Sequence, residues 1–386
     1  MALRIRTWQT PAGERRQAYQ IDYVVKGRRI RETFTTKKLA EKRLAVVTVG
    51  VDAGTHTPDG QSITVAFAAA QWFAECERAG LERVTLVLYA QQIASHINPI
   101  IGDVLLSRFT APDVAAWEDA LAARGASAQL IRRVRINLAQ IVGEAQRRGQ
   151  VSQNVVRSTG KAKVSKRQTI QRKLAVGVDV PSVAEIRQLI PFLQGRVRPL
   201  VLTAAFAGLR ACELRGLTWD NVDLDGRRVT VSQRIDRYND VGAPKSAAGN
   251  RTIPTIDLVF NALRQHKLAQ APGQELVFAN ARGNPLARVT ADEEFQAAQI
   301  EAGITGTDED GNTVAKYAGL HCLRHFFASW CINRVRDGGR ELPLKVVQTL
   351  CGHSSIAVTA DVYGHLFPAT DDVAELDAAQ TAFLAG

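Results

Sequence analysis

The sequence predicts a multidomain α+β protein. It combines a small N-terminal three-stranded sheet plus helix, a helical middle domain, and a mainly α C-terminal domain with a small antiparallel sheet. Three observations predict this. A chain of 386 residues is too long for one ordinary core. Residues 1–35 alternate with the period of strands, whereas helical spacing dominates afterwards. Two polar stretches, 51–62 and 157–173, interrupt the apolar pattern. Domains are therefore expected at 1–55, 63–157 and 181–386, with 158–180 a basic linker.

The strands come first. Leu3 and Ile5 share one face, as do Tyr19, Ile21 and Tyr23 in the next strand and Ile30 and Phe34 in the third. Pro11 to Gly13 and Gly27 mark the turns. A helix is expected from about Thr36 to Val49, capped by Thr35 or Thr36. In the middle domain Trp72, Phe73 and Cys76 recur at helical spacing. Ile93 and Ile97 close a second helix before Pro99 and Gly102. A third helix at 111–125 has Pro112 in its first turn and Gly125 at its end. A fourth runs from about Ala128 to Arg148. Beyond Pro181 the pattern stays mostly helical, with strand-like segments around 228–234, 250–254 and 276–279.

The net charge of +11 and the pI near 9.7 favour a polyanionic partner, nucleic acid or an anionic membrane surface. The longest apolar stretch, at 199–209, is far short of the roughly 20 residues that a spanning helix needs. The N-terminus lacks the apolar core of a secretory signal. The five cysteines are odd in number, form no CxxC pair and mostly sit in apolar helical patterns. They read as buried thiols in a reducing cytoplasm and not as disulfides or a zinc site. Basic residues concentrate on the small sheet, among them Arg4, Arg6, Arg28, Arg29 and Arg31. A strand surface can enter a DNA groove, so this sheet points to double-stranded DNA. Arg132 and Arg133 on the fourth middle-domain helix, and Lys161 and Lys163 in the linker, are candidates for phosphate contact. Arg251 reads either as a DNA-backbone contact or as surface charge.

Five segments of the C-terminal region stand out in order: AGLRACELRGLTWDNVDL at 207–224, PKSAAGNRTIP at 244–254, HCLRH at 321–325, LCGHSS at 350–355 and VYGHL at 362–366. Together they resemble the catalytic signature of the tyrosine recombinase, or phage integrase, family. The resemblance covers the C-terminal half, and more loosely the helical segment 64–156, which is similar to the family's core-DNA-binding domain. It implies catalytic roles for Arg210, Lys245, His321, Arg324, His353 and Tyr363, with Tyr363 as nucleophile. One departure is Cys351, where leucine more often precedes the Gly-His pair. Another is Val155, where a proline is common.

Phosphoryl transfer asks for the same residue types. A phosphodiester is shielded by its own charge, and arginine meets two oxygens at once with a planar fork that never loses its proton. His321 and Arg324, three residues apart, share one helix face. A tyrosine hydroxyl titrates near 10, so it needs a proton acceptor to become a nucleophile. The leaving 5′-oxygen needs a donor, which a lysine among arginines can be. Fixed cations then take the place that a metal has elsewhere.

By resemblance, Arg210 and Arg324 clamp the scissile phosphate and Lys245 acts as general acid. His321 assists proton transfer to or from Tyr363, and His353 bonds a phosphate oxygen. The reaction passes through a 3′-phosphotyrosine and uses neither metal nor ATP, so no cofactor is expected. The N-terminal sheet looks like an arm-type DNA-binding domain, which favours an integrase of a prophage, genomic island or integrative conjugative element. Such enzymes work as homotetramers on core and arm sites, with a DNA-bending protein and an excisionase as further partners. Glu213 reads as orienting a basic active-site residue. His325 reads equally as a core histidine or as part of the HxxR face. His365, Tyr89, Tyr238 and Tyr317 read as structural. The tail at 369–386 has helical spacing and docks either on a neighbouring subunit or on its own domain. A non-catalytic regulator of this fold would be expected to lack some of the six active residues, and all six are present. A type IB topoisomerase shares the chemistry, but the basic N-terminal sheet and the small size argue for site-specific binding.

Overall fold

A computed structural model describes residues 1–159 except 12, 26 and 55, then residues 173–367, and in the tail 377, 380, 381 and 383–385. The chain divides into two compact units, Met1–Thr169 and Ile170–Gly386. Lys161, Lys163 and most of the tail at 369–386 lie outside the described residues.

The first unit opens with an antiparallel sheet of order β1 (Ala2–Gln9), β2 (Arg15–Val25) and β3 (Arg28–Phe34). Its register sets Ile5 opposite Tyr19 and Tyr19 opposite Phe34, so the apolar residues predicted for each strand share one face. Helix α1 (Lys37–Asp52) covers that face. Thr36 caps it, accepting from the amide of Leu39, and Ala40 and Val47 pack on Ile21, Tyr23 and Val25. The stretch at 51–62, expected to be a plain linker, is packed. His56 Nε2 lies 3.1 Å from the Tyr23 hydroxyl, and the carboxylate of Asp59 accepts from Ser107 and Arg108.

The helical part of this unit comprises α2 (Val65–Arg78), α3 (Arg83–Gln92), α4 (Asn98–Ile101), α5 (Ala111–Ala123), α6 (Ala128–Arg147) and α7 (Val155–Ser158). Trp72, Trp117, Leu121, Leu138 and Ile141 form its core. Pro99 does not end the second predicted helix in the expected way. A π-helical turn at Ile93–Ile97 carries α3 into α4 and places Pro99 in the first turn of α4, where its missing N–H costs nothing. At α5, Thr110 and Asp113 form a capping box.

The second unit contains α8 (Val183–Leu189), α9 (Val197–Ala207) and α10 (Ala211–Arg215), then β4 (Val222–Asp223), β5 (Arg228–Val231), β6 (Arg234–Ile235), β7 (Val241–Gly242) and β8 (Arg251–Pro254). After these come α11 (Asp257–Ala269), α12 (Arg288–Glu301), β9 (Thr305–Thr307), β10 (Thr313–Ala315), α13 (His321–Ile332), α14 (Leu344–Cys351) and α15 (Ile356–Tyr363). Strands β4, β5 and β8 form an antiparallel sheet; β6 pairs with β7, and β9 with β10. The segment 276–279 makes only isolated bridges, Thr218 to Leu276 and Ala279 to Pro285. The β9–β10 hairpin was not expected, because three-residue polar strands carry no readable alternation.

Helices α9 and α13 are the centre of this unit: every residue from Pro199 to Ala207 is buried, as is α13 from Phe326 to Ser329. Among the described residues no helix is long and apolar enough to cross a membrane. Gly208 ends α9 with φ of 63°, and a Cβ there would meet Phe327 of α13 at 2.2 Å. Gly208→Ala should therefore destabilise the second unit by about 1–3 kcal/mol through overpacking. A left-handed alanine adds roughly 1 kcal/mol. Urea unfolding checks this, and an unchanged midpoint would contradict the close α9–α13 contact.

Candidate active site

Four of the six predicted catalytic residues converge, from three separate parts of the second unit. Arg210 follows the left-handed Gly208 and caps α10 in a box with Glu213: the Arg210 amide donates to Glu213 Oε2 at 2.9 Å, and Arg210 Nη1 to Oε1 at 2.6 Å. Its Nη2 donates to the carbonyl of Gly352 at 2.9 Å. Arg324, 3% exposed on α13, donates to the carbonyls of Gly208 and Cys351. The two arginines thus hold the end of α14, where unpaired carbonyls attract cations.

That end delivers His353. Gly352 takes φ of 62°, and a Cβ there would lie 2.8 Å from Arg251 Nη1. The turn it makes brings His353 against α15, where its Nδ1 lies 2.9 Å from Thr359 Oγ1. The ring of Tyr363 stacks on that of His353, with centroids 6.1 Å apart and planes 10° from parallel. Burial, with Arg324 and Arg210 nearby, pushes the His353 imidazole down to about 4, so it is neutral at pH 7. Tyr363 is 2% exposed, and burial pushes its hydroxyl well above the ordinary value of 10 despite the two arginines.

The other two residues stand at the rim. Lys245 is exposed on the loop between β7 and β8, near enough for its charge to act on the thiol of Cys212. Arg215 fastens the β6–β7 pair that precedes this loop, donating to the carbonyls of Ile235 and Asp236 and, at 2.6 Å, to Asn239 Oδ1. His321 is exposed at the start of α13.

Two residues take places in the site that the motif alone does not give them. Arg251 is a correction: it is buried and paired, not surface charge. Alternation along β8 buries Arg251 and Ile253, and the Arg251 side chain is 3% exposed. Its guanidinium is committed to Glu213 Oε2 at 3.0 Å, the carbonyl of Leu350 at 2.8 Å and the carbonyl of Gly249 at 3.0 Å. His325, read as either core or site, places Nδ1 2.7 Å from the Tyr363 hydroxyl. Its spacing of four from His321 was the available signal, since that is one helical turn on the same face. The residues read as structural have structural contacts. Tyr317 donates to Glu185, Tyr89 packs on Trp72, and His365 Nε2 lies 2.7 Å from the carbonyl of Leu174.

Of the DNA-contact candidates, Arg4, Arg6, Arg29 and Arg31 project from the sheet face opposite α1, with Trp8 and Gln20 among them. Arg28, paired with Val25, belongs to the other face but is exposed at its end. Arg29 is tied to Asp22 at 2.8 and 2.9 Å. Arg132 and Arg133 are exposed on α6.

Glu213 is the buried anion that balances Arg210 and Arg251. Burial would raise its carboxyl, but the Arg251 hydrogen bond and charge hold it below the ordinary 4.5. A lowered carboxyl stabilises the fold above its unfolded value and loses that contribution as pH falls through the folded value. Glu213→Ala should cost about 3–5 kcal/mol at pH 7, because it leaves Arg251 buried without its partner. The stability gap between the wild type and Glu213→Gln should close below about pH 4.5. Guanidinium unfolding across pH measures both, and a pH-independent gap would refute the ion-pair account.

Residues 182–369 match the Phage integrase family. The chain is 25% identical over 368 residues to a XerC-like tyrosine recombinase of Caldanaerobacter subterraneus subsp. tengcongensis, covering 89% of this chain and 90% of that one. It is 28% identical over 320 residues to an integrase of Streptomyces ambofaciens, covering 78% and 76%. Among solved structures, the fold is similar to the Tn1549 transposon integrase in complex with transposon right end DNA, with a TM-score of 0.62, 20% identity, and 83% of this chain and 100% of that one covered. It is also similar to a lambda integrase tetramer bound to a Holliday junction, with a TM-score of 0.56, 20% identity, and 90% and 95% covered. Through its second unit the chain belongs to the phage integrase family of tyrosine recombinases, proteins of site-specific DNA recombination.

Proposed function

We propose that the protein cuts and rejoins DNA through a covalent 3′-phosphotyrosine at Tyr363, and that it integrates and excises a mobile element such as a prophage, genomic island or integrative conjugative element. The observation that carries this reading is the convergence of Arg210, Arg324, His353 and Tyr363 at the end of α14. Arg210 and Arg324 meet the non-bridging oxygens of the scissile phosphate as charge builds on them. His353, its Nδ1 engaged by Thr359, has Nε2 for a phosphate oxygen. Tyr363 attacks phosphorus in line, and the 5′-oxygen leaves with a proton from Lys245. Attack by a 5′-hydroxyl on the phosphotyrosine reseals the strand. The phosphodiester's energy stays in the tyrosyl ester, so the cycle consumes no ATP, and side-chain cations serve where a metal would.

The N-terminal sheet is proposed as the arm-type domain, with Arg4, Arg6, Arg29 and Arg31 facing DNA. The helical part of the first unit, with Arg132 and Arg133, is proposed as the core-site domain. A homotetramer on paired sites, assisted by a bending protein and an excisionase, completes the assembly. The mobile-element role draws support from the similarity to the transposon and actinomycete integrases.

Nicked suicide duplexes carrying candidate attachment DNA test the chemistry in EDTA. Wild type should leave a denaturation-resistant protein–DNA adduct, and Tyr363→Phe none. An adduct from Tyr363→Phe assigns the nucleophile elsewhere; no adduct from tightly bound wild type supports a regulator. Binding should also weaken steeply with salt as phosphate counterions are released. Arg4→Ala with Arg6→Ala should flatten that slope by about two on arm-site DNA. An unchanged slope would remove the sheet from the DNA interface.

A further inference from the structure

We propose that His325 is the catalytic residue that takes the proton of Tyr363 during strand cleavage and returns it during rejoining. The proposal rests on the phosphotyrosine reading above and deepens it. The geometry is direct: His325 Nδ1 lies 2.7 Å from the Tyr363 hydroxyl, within the reach that a general base requires. His321, the residue that the motif would nominate, packs edge-on against the His325 ring, with centroids 4.7 Å apart. The hydrogen bond to the nucleophile's hydroxyl is made by His325.

The protonation state fits. Burial, then the charges of His321 and Arg324, hold His325 down at about 4, with Asp179 pulling the other way. The imidazole is neutral at pH 7, so Nδ1 is free of a proton when Nε2 carries it, and the hydroxyl donates to Nδ1. The charged and titratable groups around the pair are Arg324 and His321 on α13, Asp179 before α8, Cys351 at the end of α14 and His353 after it, and Arg210 near Tyr363.

A weak base beside a weak acid is idle in the free protein, and the incoming DNA changes that. Burial, the largest influence, stays in place, but a phosphodiester held by Arg324 offsets that arginine's charge, one of the influences that oppose imidazolium formation, and so raises the basicity of His325. In the step itself, the Oη–H bond of Tyr363 breaks and the proton goes to Nδ1. The Oη–P bond forms and the P–O5′ bond breaks, and the departing 5′-oxygen takes its proton from Lys245. On rejoining, the 5′-hydroxyl gives its proton back to Lys245 as the P–O5′ bond forms and the Oη–P bond breaks, and the imidazolium returns its proton to the phenolate. The base is therefore strengthened by the substrate it serves.

The test is single-turnover adduct formation by full-length protein on two nicked duplexes. One has the natural 5′-oxygen; the other has a bridging 5′-sulfur, whose thiolate leaves without an acid. His325→Asn keeps an acceptor near the Nδ1 position but takes no proton at neutral pH. His325→Ala leaves room for added imidazole. DNA binding and thermal melting serve as folding controls. His325→Asn should slow adduct formation by about 10²–10⁴-fold at unchanged DNA affinity. The defect should persist on the 5′-sulfur duplex, where a Lys245→Ala defect should largely disappear. Imidazole should restore His325→Ala, increasingly as pH rises through the pKa of free imidazole.

A wild-type or faster rate for His325→Asn would overturn the proposal, because the bond would then belong to the resting protein alone. So would rescue of His325→Asn by the 5′-sulfur, which would place its effect on the leaving group. Wild type without any adduct would sink the phosphotyrosine reading itself, a result distinct from an adduct that forms equally well without His325.

Discussion

The carboxylate of Glu213 is the point on which the second unit depends. It is buried, and it accepts from two arginines that approach from different elements, Arg210 at the start of α10 and Arg251 on β8. A buried anion of this kind is tolerated only when cations and donors surround it. Here both cations continue past it to the same destination. Arg251 holds the carbonyl of residue 350, Arg324 that of 351 and Arg210 that of 352. Three guanidiniums from three elements therefore fix three successive carbonyls at one helix end. The turn that follows presents His353, and α15 then lays Tyr363 on it. The geometry of the candidate site and the stability of the fold share one set of bonds, so a change that loosens the helix end disturbs both.

Much of this was legible in the sequence, but only where a pattern is local. The period-two alternation of Tyr19, Ile21 and Tyr23 forecast their common face, and Thr36 forecast the start of α1. The spacing of His321 and Arg324 forecast one helix face. What escaped depended on partners remote in sequence. Arg251 looks like any basic residue beside a strand until β8 turns it inward toward Glu213, 38 residues earlier. His325 differs from a core histidine only through Tyr363, 38 residues later. The π-turn at Ile93–Ile97 arises where a helix must pass Pro99, and no composition rule foretells whether such a helix stops or widens. Strands β9 and β10 are too short and too polar to carry a period.

The two units solve different electrostatic problems. On the N-terminal sheet, exposed arginines face water and retain their hydration until a polyanion arrives. In the second unit Arg251 and Arg324 have been stripped of water in advance and oriented by carbonyls and a carboxylate. Preorganised dipoles and charges of that kind need no reorientation when charge appears on a reacting group. The first arrangement suits attraction at a distance, the second discrimination at one phosphorus atom.

The three guanidiniums grip main-chain oxygens and not side chains, which has a consequence for how this stretch tolerates drift. A carbonyl is present whatever residue carries it, so the arginine bonds fix the conformation at 350 and 351, and the apolar core around them limits the side chain. Cysteine can stand at 351 where a leucine is more usual, because the bond to Arg324 never involves the thiol. Gly352 is the exception, since its left-handed backbone and the guanidinium beside its α-carbon leave no room for a side chain. The close approach at this helix end is thus recorded in a single glycine.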